Sequence, residues 1–191
     1  LDVSRVQNRE GTIASRHLNL NDSVQRVCRD WQRQTGGGQQ LRLSLSASRD
    51  EVPFESEHLR RILINLLDNA KRYASDQMDS IVVSTESPEA APTLLSVWSD
   101  GPRMEPSVER HLFEPFFSSE SRSTGLGLYI CRELCEGHGA SISYRRSSRR
   151  IRGNEQGGNE FVVTFGPSVS QVDIDLPTEN AHLTPWQPTR L

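Results

Sequence analysis

The sequence predicts an α+β protein with one principal core. Three observations support this prediction. Residues 56–74 form the most clearly predicted helix of the chain, because their apolar side chains recur at helical spacing along one broad stripe. Several short segments, such as residues 41–45, alternate apolar and polar residues with the period of a half-buried strand. Residues 125–128 open another helix soon after a dense apolar cluster at residues 112–117.

Length, charge and cysteine content narrow the classes of protein that fit. The chain has 191 residues, enough for one sizeable core with short appendages, and no apolar run of the length of a membrane span. Its net charge of −3 provides no basic field for binding nucleic acid. The three cysteines, Cys28, Cys131 and Cys135, fit reduced thiols better than a disulfide framework. Cys131 and Cys135 are interpreted as structural, since a metal site needs more ligands than this pair.

The first half of the chain gives clear local signals. Residues 15–20 predict an edge strand, and Asn21 is the expected N-cap of the helix that follows. Three consecutive glycines, residues 36–38, end that helix. Residues 41–45 predict a half-buried strand, and residues 52–54, which include a proline, predict a short edge piece.

The second half contains four further predicted strands. Residues 80–85 and 93–98 form two of them and are joined by a proline-flanked turn. Residues 107–111 predict a short helix. Residues 140–144 and 160–165 are the last two strands.

The segment between these last strands, residues 147–158, is polar and predicts a solvated hairpin loop. An alternative interpretation is a docking patch for an acidic partner. It rests on the nearby arginines, which are Arg145, Arg146, Arg149, Arg150 and Arg152.

A polar stripe accompanies the apolar stripe of residues 56–74. Asn65, Asn69 and Arg72 recur at spacings of four and three, which places them along one side of the helix. Asparagine is a mediocre helix former because its amide competes for backbone hydrogen bonds. The pair therefore indicates either a solvated face or a binding site.

Residues 118–124 are small, polar and charged, as in a mobile loop. Gly125 and Gly127 then lead into a helix. Glycine lets the backbone approach a ligand closely, and the free N–H groups of a first helical turn attract anions. This arrangement predicts an anion site.

These motifs together resemble those of sensor histidine kinases. Residues 112–117 and 124–128 resemble the F box and the G2 box of that family, within the superfamily of gyrase, Hsp90-type chaperones and MutL-type repair proteins. Asn65 and Asn69 are similar to the N box, and residues 99–104 occupy the expected place of the G1 box. The short spacing between the F and G2 boxes resembles the kinases of nitrogen and pilus regulation.

The resemblance covers residues 15–166, with all the boxes in the expected order. It implies a two-layer α/β sandwich, in which a mixed β-sheet is covered on one face by helices (the Bergerat-type ATP-binding fold). Residues 1–14 then correspond to the end of a dimerisation helix and a linker. Residues 167–191 carry prolines without periodicity and predict a poorly ordered tail.

ATP and Mg²⁺ are the ligands that the resemblance implies. It assigns an oxygen ligand of Mg²⁺ to Asn69, and contacts with the phosphates and the ribose to Arg72 and Tyr73. The full set of ATP-binding residues implied in this way is Asn65, Asn69, Arg72, Tyr73, Ser99, Asp100, Gly101, Met104, Phe113, Phe117, Arg122, Thr124, Gly125, Leu126, Gly127 and Leu128.

The G1-like segment departs from the family pattern Asp-x-Gly-x-Gly. Ser99 stands where the adenine-binding aspartate is expected, Asp100 follows one residue later, and Arg103 replaces the second glycine. We expect Ser99 to hold the adenine edge through a water molecule and Asp100 to shape the turn.

Asn65 distinguishes a kinase from an ATPase. In the ATPases of this superfamily the equivalent residue is a glutamate that activates water, and an amide has no useful basicity. The resemblance therefore implies transfer of the γ-phosphoryl group to a histidine. None of the chain's histidines begins the phosphoacceptor motif of the family; these are His17, His58, His111, His138 and His182.

The implied acceptor therefore lies on a dimerisation hairpin that is absent from this chain, and the chain alone is not expected to phosphorylate itself. The other implied partner is the receiver domain of a response regulator. The parent protein would be a homodimeric bacterial sensor kinase anchored in the inner membrane, with this domain in the cytoplasm. Two alternatives stay open: a superfamily ATPase, and a degenerate interaction module without catalysis.

Overall fold

The structure, a computed structural model, describes residues 17–36, 38–117 and 125–166. The predicted linker at residues 1–14, the loop at residues 118–124 and the tail at residues 167–191 lie outside the described residues. The elements are β1 (His17–Asn19), α1 (Leu20–Thr35), β2 (Leu41–Leu45), β3 (Glu51–Pro53), α2 (Ser56–Tyr73), β4 (Ile81–Glu86), β5 (Leu94–Ser99), α3 (Pro106–Arg110), α4 (Gly127–Glu136), β6 (Ser141–Ile151) and β7 (Asn154–Thr164).

A five-stranded mixed sheet forms the centre of the fold, with strand order β2-β4-β5-β7-β6. β2 and β4 run parallel, and the other neighbours pair antiparallel. β1 and β3 form a separate small antiparallel sheet. Strand residues such as Leu95, Val97 and Phe161 share one core with the apolar stripes of the helices. The predicted two-layer arrangement, with helices over one face of a mixed sheet, is confirmed.

The start of α1 differs from the prediction. Asn19, the last residue of β1, is the N-cap, and its side chain accepts a hydrogen bond from the Asp22 N–H at 2.9 Å. The prediction of Asn21 as the cap was wrong because β1 passes into α1 without a loop. The amide of Asn21 instead donates to the Ala47 carbonyl at 2.9 Å and so fastens the helix to the following segment. Gly36, with φ of +66°, ends the helix as predicted.

α2 buries its predicted apolar stripe except at Tyr73, which is half-buried. The buried residues of this helix are Leu59, Ile62, Leu63, Leu66, Leu67 and Ala70. Because Asn65 and Asn69 lie beside this stripe and are only half-buried, they face the edge of the helical layer and not its interior. No helix within the described ranges has the length and apolarity needed to cross a membrane.

The last two strands are much longer than predicted. β6 and β7 each have 11 residues and are paired along their whole length. They turn at Arg152 and Gly153, whose φ angles of +51° and +86° fit a two-residue hairpin turn. The prediction of a solvated loop at residues 147–158 was therefore wrong.

A buried carboxylate explains why this polar hairpin is ordered. Glu160 is 1% exposed and accepts a hydrogen bond from Arg145 Nε at 2.7 Å and another from Arg149. Arg149 also donates to the Ser84 and Ser96 hydroxyls, at 3.1 and 2.9 Å. Burial raises the pKa of the Glu160 carboxyl, but the hydrogen bonds from both arginines outweigh burial and bring the pKa to about 2.

The distal half of the hairpin also covers the sheet face opposite the helices. Ile151 packs there with Val82 and Trp98 in a second apolar cluster. Gly158 makes this possible, since a Cβ atom at that position would lie 2.2 Å from the Trp98 ring. Arg146 donates to the Gly101 carbonyl at 2.8 Å. Several arginines of the proposed docking patch thus make contacts inside the fold.

Candidate functional site

A cavity of about 560 Å³ opens between α2, the segment after β5 and the start of α4. This volume lies within the usual range for a site that binds a small molecule. The residues that line it are Asn65, Asp68, Asn69, Arg72, Tyr73, Pro102, Arg103, Met104, Glu105, Val108, Leu112, Phe117, Gly125, Gly127, Leu128 and Asn159.

The predicted polar stripe of α2 forms one wall of this cavity. Asn65 donates its side-chain N–H to the Arg61 carbonyl at 3.0 Å, which leaves its amide oxygen toward α4. A Cβ atom on Gly127 would lie 3.2 Å from that oxygen. Asn69 and Arg72 continue the same wall along the helix. These residues share one cavity with Gly125 and Gly127, which favours the binding-site interpretation over an ordinary solvated face.

Glycine is required where the F-box-like segment meets the start of α4. Gly125 has φ of +64°, and a Cβ atom there would lie 2.6 Å from both the Phe116 carbonyl carbon and the Phe117 carbonyl oxygen. Any side chain would therefore collide with backbone. Phe117 itself lines the cavity, whereas Phe116 is 78% exposed.

Within the described residues, no N-cap side chain closes the start of α4. Leu126 is the N-cap and makes no side-chain capping hydrogen bond, and the first turn contains no acidic residue. Uncapped N–H groups and the positive end of the helix dipole favour an anion. Gly127 and Leu128 of this turn line the cavity, so an anion bound in the cavity could reach them.

The G1-like segment is anchored by Asp100. Its carboxylate accepts hydrogen bonds from the backbone and the hydroxyl of Ser75 and, at 3.0 Å, from Gln156. Gly101 lets the chain pass close to α2, since a Cβ atom there would lie 2.8 Å from the Tyr73 carbonyl oxygen. Neither Asp100 nor Gly101 belongs to the cavity lining, whereas Met104 does.

Other predicted residues also lie outside the lining. Ser99 is buried on β5 opposite Asn159 of β7. Phe113 packs against Phe161 with ring centroids 6.3 Å apart. Leu126 precedes the residues of α4 that face the cavity. The predicted Arg122 and Thr124 fall outside the described part of the chain.

Asn159 lines the cavity and was not predicted. Its side-chain N–H donates to the Pro102 carbonyl at 2.8 Å, and its carbonyl oxygen accepts from the Tyr144 hydroxyl at 2.8 Å. The sequence could have indicated Asn159 through its position in the strand. Asn159 alternates with Phe161 and Val163, so its side chain lies on the same face of the sheet as theirs, toward the helices. A polar residue at such a position calls for a polar partner or a ligand.

Asp68 is a second lining residue that the sequence reasoning missed. Its carboxylate accepts a hydrogen bond from Trp31 Nε1 at 2.8 Å, which links α1 to the cavity wall. Lys71 approaches the same indole ring at 5.8 Å. The signal was its place one residue before Asn69 on the polar side of α2.

Cys131 and Cys135 lie buried behind this wall. Burial raises the pKa of each thiol to about 12, so both stay protonated at neutral pH. Within the described residues they join no group of metal ligands. Their interpretation as structural residues agrees with this environment.

The chain also matches a family of known proteins. The family described as histidine kinase-, DNA gyrase B-, and HSP90-like ATPase matches residues 54–168. The chain belongs to this family. The resemblance to sensor histidine kinases is thereby confirmed, and the matched region contains the cavity.

Sensor proteins are among the chain's relatives. The sensor protein kinase PilS of Pseudomonas aeruginosa is 35% identical over 151 residues, which cover 78% of this chain and 27% of PilS. The sensor protein KdpD of Escherichia coli is 29% identical over 147 residues, covering 75% of this chain and 16% of KdpD. The chain thus spans about a quarter or less of the length of these relatives.

Solved structures show the same fold. The catalytic domain of the histidine kinase ThkA superposes with a TM-score of 0.61 at 23% identity, and the match covers 78% of this chain and 95% of that domain. ThkA has also been solved in complex with the response regulator protein TrrA.

Proposed function

We propose that this chain is the ATP-binding catalytic domain of a two-component sensor histidine kinase. The observation that carries the proposal is that one cavity joins the two asparagines of α2 to the uncapped start of α4. The asparagines offer oxygen ligands for a cation, and the helix start offers N–H groups for phosphate. Asparagine oxygens beside a helix start suit a nucleoside triphosphate bound together with Mg²⁺.

The lining fits Mg²⁺, a hard cation that prefers oxygen ligands. Water molecules and phosphate groups usually supply several of these ligands, and the protein supplies only one or two. Asn69 would supply an amide oxygen, with Asn65 beside it. When bound, Mg²⁺ would neutralise phosphate charge in the transfer reaction. Arg72 and the first turn of α4 are positioned along the same cavity to bind further phosphate oxygens.

The chemistry at Asn65 favours transfer to a protein acceptor over hydrolysis. An amide at this position cannot take a proton from water, so bound ATP keeps its γ-phosphoryl group until another nucleophile arrives. We propose that this nucleophile is the imidazole of a histidine on the parent's dimerisation hairpin. The phosphoryl group then passes to an aspartate of a response regulator, the class of partner seen with ThkA.

The parent protein extends well beyond this chain if it resembles PilS and KdpD in length. We propose that it is a homodimer anchored in the inner membrane, with this domain in the cytoplasm. Nucleic acid is not among the proposed partners, given the net charge of −3.

One observation favours a different function, a degenerate interaction module. Ser99 lacks the carboxylate expected at the adenine contact, and Asp100 is held by Ser75 and Gln156 outside the cavity lining. In such a module the cavity would bind nucleotide poorly. Asn65 argues against the second alternative, an ATPase. If the chain were an ATPase, its steady-state rate of ATP hydrolysis would exceed that of a histidine kinase domain.

Two measurements test the proposal. Calorimetric titration of the chain with ATP, with and without Mg²⁺, should reveal one Mg²⁺-dependent site. Labelled ATP should then phosphorylate a separately supplied dimerisation hairpin, weakly, because the tether and its effective concentration are lost. No detectable ATP binding would favour the interaction module, and rapid release of free phosphate without a hairpin would favour the ATPase.

A further inference from the structure

α2 and α4 run antiparallel, and α4 packs along the first half of α2. At the cavity end, Gly127 lies against Asn65. Midway, the Cys131 thiol approaches the Ile62 carbonyl at 3.9 Å. Beyond the end of α4, His138 reaches back to His58 in the first turns of α2. A group of titratable side chains therefore joins the two helices at the end far from the cavity.

This group consists of Glu55, His58 and His138. One ligand atom from each lies within 4.8 Å of the others, and all three residues are half-exposed. Glu55 Oε2 is 3.4 Å from His58 Nδ1, and His58 Nδ1 is 2.8 Å from His138 Nε2. In the part of the chain that the structure describes, no other three such side chains converge in this way.

The two distances to His58 Nδ1 can be compared with those of a tetrahedral transition-metal site. Bonds of about 2.0–2.1 Å to such an ion place neighbouring ligand atoms about 3.3–3.4 Å apart. The spacing between Glu55 and His58 already has this value. The two imidazoles are about half an ångström closer than that, as expected for a hydrogen bond between them, and a small rotation of either ring would admit an ion.

The fold leaves the Glu55 carboxylate available as a ligand and holds His138 in place. Glu55 is the N-cap of α2 but makes no side-chain capping hydrogen bond, so its carboxylate is available. The His138 ring packs on Phe54 with centroids 4.2 Å apart. The His138 backbone N–H donates to the Cys135 carbonyl at 3.0 Å, which fixes the chain as it leaves α4.

We propose that Glu55, His58 and His138 form a binding site for a divalent transition-metal ion of the Zn²⁺ type. Two imidazoles and one carboxylate are common ligands of such ions, and water would complete the coordination. Mg²⁺ is a poor occupant because it prefers oxygen ligands, so the site is chemically distinct from the proposed nucleotide site. A bound ion would tie the start of α2 to the end of α4 and stabilise their packing.

Metal titration without nucleotide tests this proposal separately from the proposed function. The full chain is stripped of metal with a chelator, desalted and titrated with Co²⁺, whose visible absorption reports protein ligands. We expect saturation at one equivalent, displacement of Co²⁺ by Zn²⁺, and a higher melting temperature with Zn²⁺ than with the same concentration of Mg²⁺.

Variants then locate the site. Loss of an outer partner of a metal ligand already weakens binding by about 10–100-fold, so His58→Ala and His138→Ala should each weaken Co²⁺ binding at least about tenfold. His111→Ala is the matched control, because His111 pairs with Glu114 at 2.9 Å as His58 pairs with Glu55. Among the described residues, His111 belongs to no group of three metal-ligating side chains. This variant should bind Co²⁺ as the parent does.

Several results would overturn the proposal. These are unchanged affinity in His58→Ala and His138→Ala, an equal loss in His111→Ala, and saturation at half an equivalent with dimerisation. Melting curves without metal check the fold of each variant. If His138→Ala does not fold because Phe54 loses its packing partner, His58→Ala and Glu55→Gln decide, and unchanged affinity in both would contradict the site.

Discussion

Asn69 lies on the cavity wall formed by α2 and beside the buried apolar stripe. If it is a Mg²⁺ ligand, Asn69→Ala should weaken Mg-ATP binding about 10- to 100-fold, since a hydrogen bond or ligand to a charged group contributes about 1.5–3 kcal/mol. Unfolding should change little because the side chain is half-buried and outside the core. Calorimetry with Mg-ATP measures the first effect, and thermal melting measures the second.

The same titration with EDTA is the control for this variant. Without Mg²⁺, the parent should bind ATP as weakly as Asn69→Ala does. An unchanged affinity of the variant for Mg-ATP would show that Asn69 is not the ligand.

Either Ser99 or Asp100 could provide the acceptor that recognises the adenine amino group. An acceptor near the exocyclic amino group favours adenine over guanine. If Ser99 accepts through a water molecule, Ser99→Ala should reduce the preference for ATP over GTP by about fivefold, the equivalent of about 1 kcal/mol. Asp100→Ala should instead lower the melting temperature, because Ser75 and Gln156 lose their acceptor. Affinities for both nucleotides in the parent and both variants make the comparison.

If Asp100→Ala removes the preference for ATP and Ser99→Ala retains it, the roles assigned to Ser99 and Asp100 are reversed. Asn159 lies opposite Ser99 and lines the cavity, so Asn159→Ala is an informative third variant. The adenine contact could not be fully predicted from the sequence, because it depends on which of two neighbouring strands turns its polar residue into the cavity.

At the scale of elements, the long hairpin of β6 and β7 is expected to lose stability at acid pH, because it contains the buried carboxylate of Glu160. The folded-state pKa of Glu160 is about 2, against 4.5 for a free glutamate. A depressed pKa stabilises the fold above pH 4.5, and that contribution is lost as the pH falls toward 2. The free energy of unfolding of the parent should therefore decrease through this window more steeply than that of Glu160→Gln, as measured by urea unfolding at several pH values.

Glu155→Gln is the matched control on the same strand, because Glu155 is exposed. Its unfolding free energy should follow that of the parent at every pH. Parallel pH profiles for the parent and Glu160→Gln would show that the buried ion pairs add no acid sensitivity. At neutral pH Glu160→Gln should also be destabilised, since it leaves Arg149 without its charge partner.

This hairpin also shows what sequence reasoning could and could not predict. Alternating apolar residues predicted β2, and helical spacing predicted α2, because a core face imposes those periods. Short apolar runs beside turn residues predicted β4 and β5. The extension of β6 was missed because residues 145–152 are mostly arginine and serine. Its order depends on Glu160 and Trp98, which are distant in sequence and approach only in the folded sheet.

The candidate site was predicted in larger part than the hairpin. The asparagine stripe and the glycine loop each carry a local pattern, and the fold brings both into one cavity. Asn19 was missed as a helix cap because two asparagines stand near the junction, and only the direct passage of β1 into α1 decides between them.

For the whole molecule, the prediction concerns self-labelling. Incubated with labelled Mg-ATP, the chain alone should acquire no stable phosphohistidine, because no histidine begins the family's phosphoacceptor motif. Acid-labile label is measured after gel separation, with a supplied dimerisation hairpin as the positive control. Strong labelling of His58, His111 or His138 would contradict this expectation.

The hydrogen bond between Trp31 and Asp68 gives the molecule an intrinsic optical reporter. Asp68 lines the cavity while its carboxylate holds the indole N–H, so charge entering the cavity changes the electric field at that ring. Trp98 lies on the opposite face of the sheet and is shielded from this change. The chain's third tryptophan, Trp186, is replaced by Phe in both test variants. Addition of Mg-ATP should therefore shift tryptophan fluorescence in Trp98→Phe/Trp186→Phe, whose remaining indole is Trp31, but not in Trp31→Phe/Trp186→Phe. Nucleotide binding could then be followed in real time without attaching a dye to the protein.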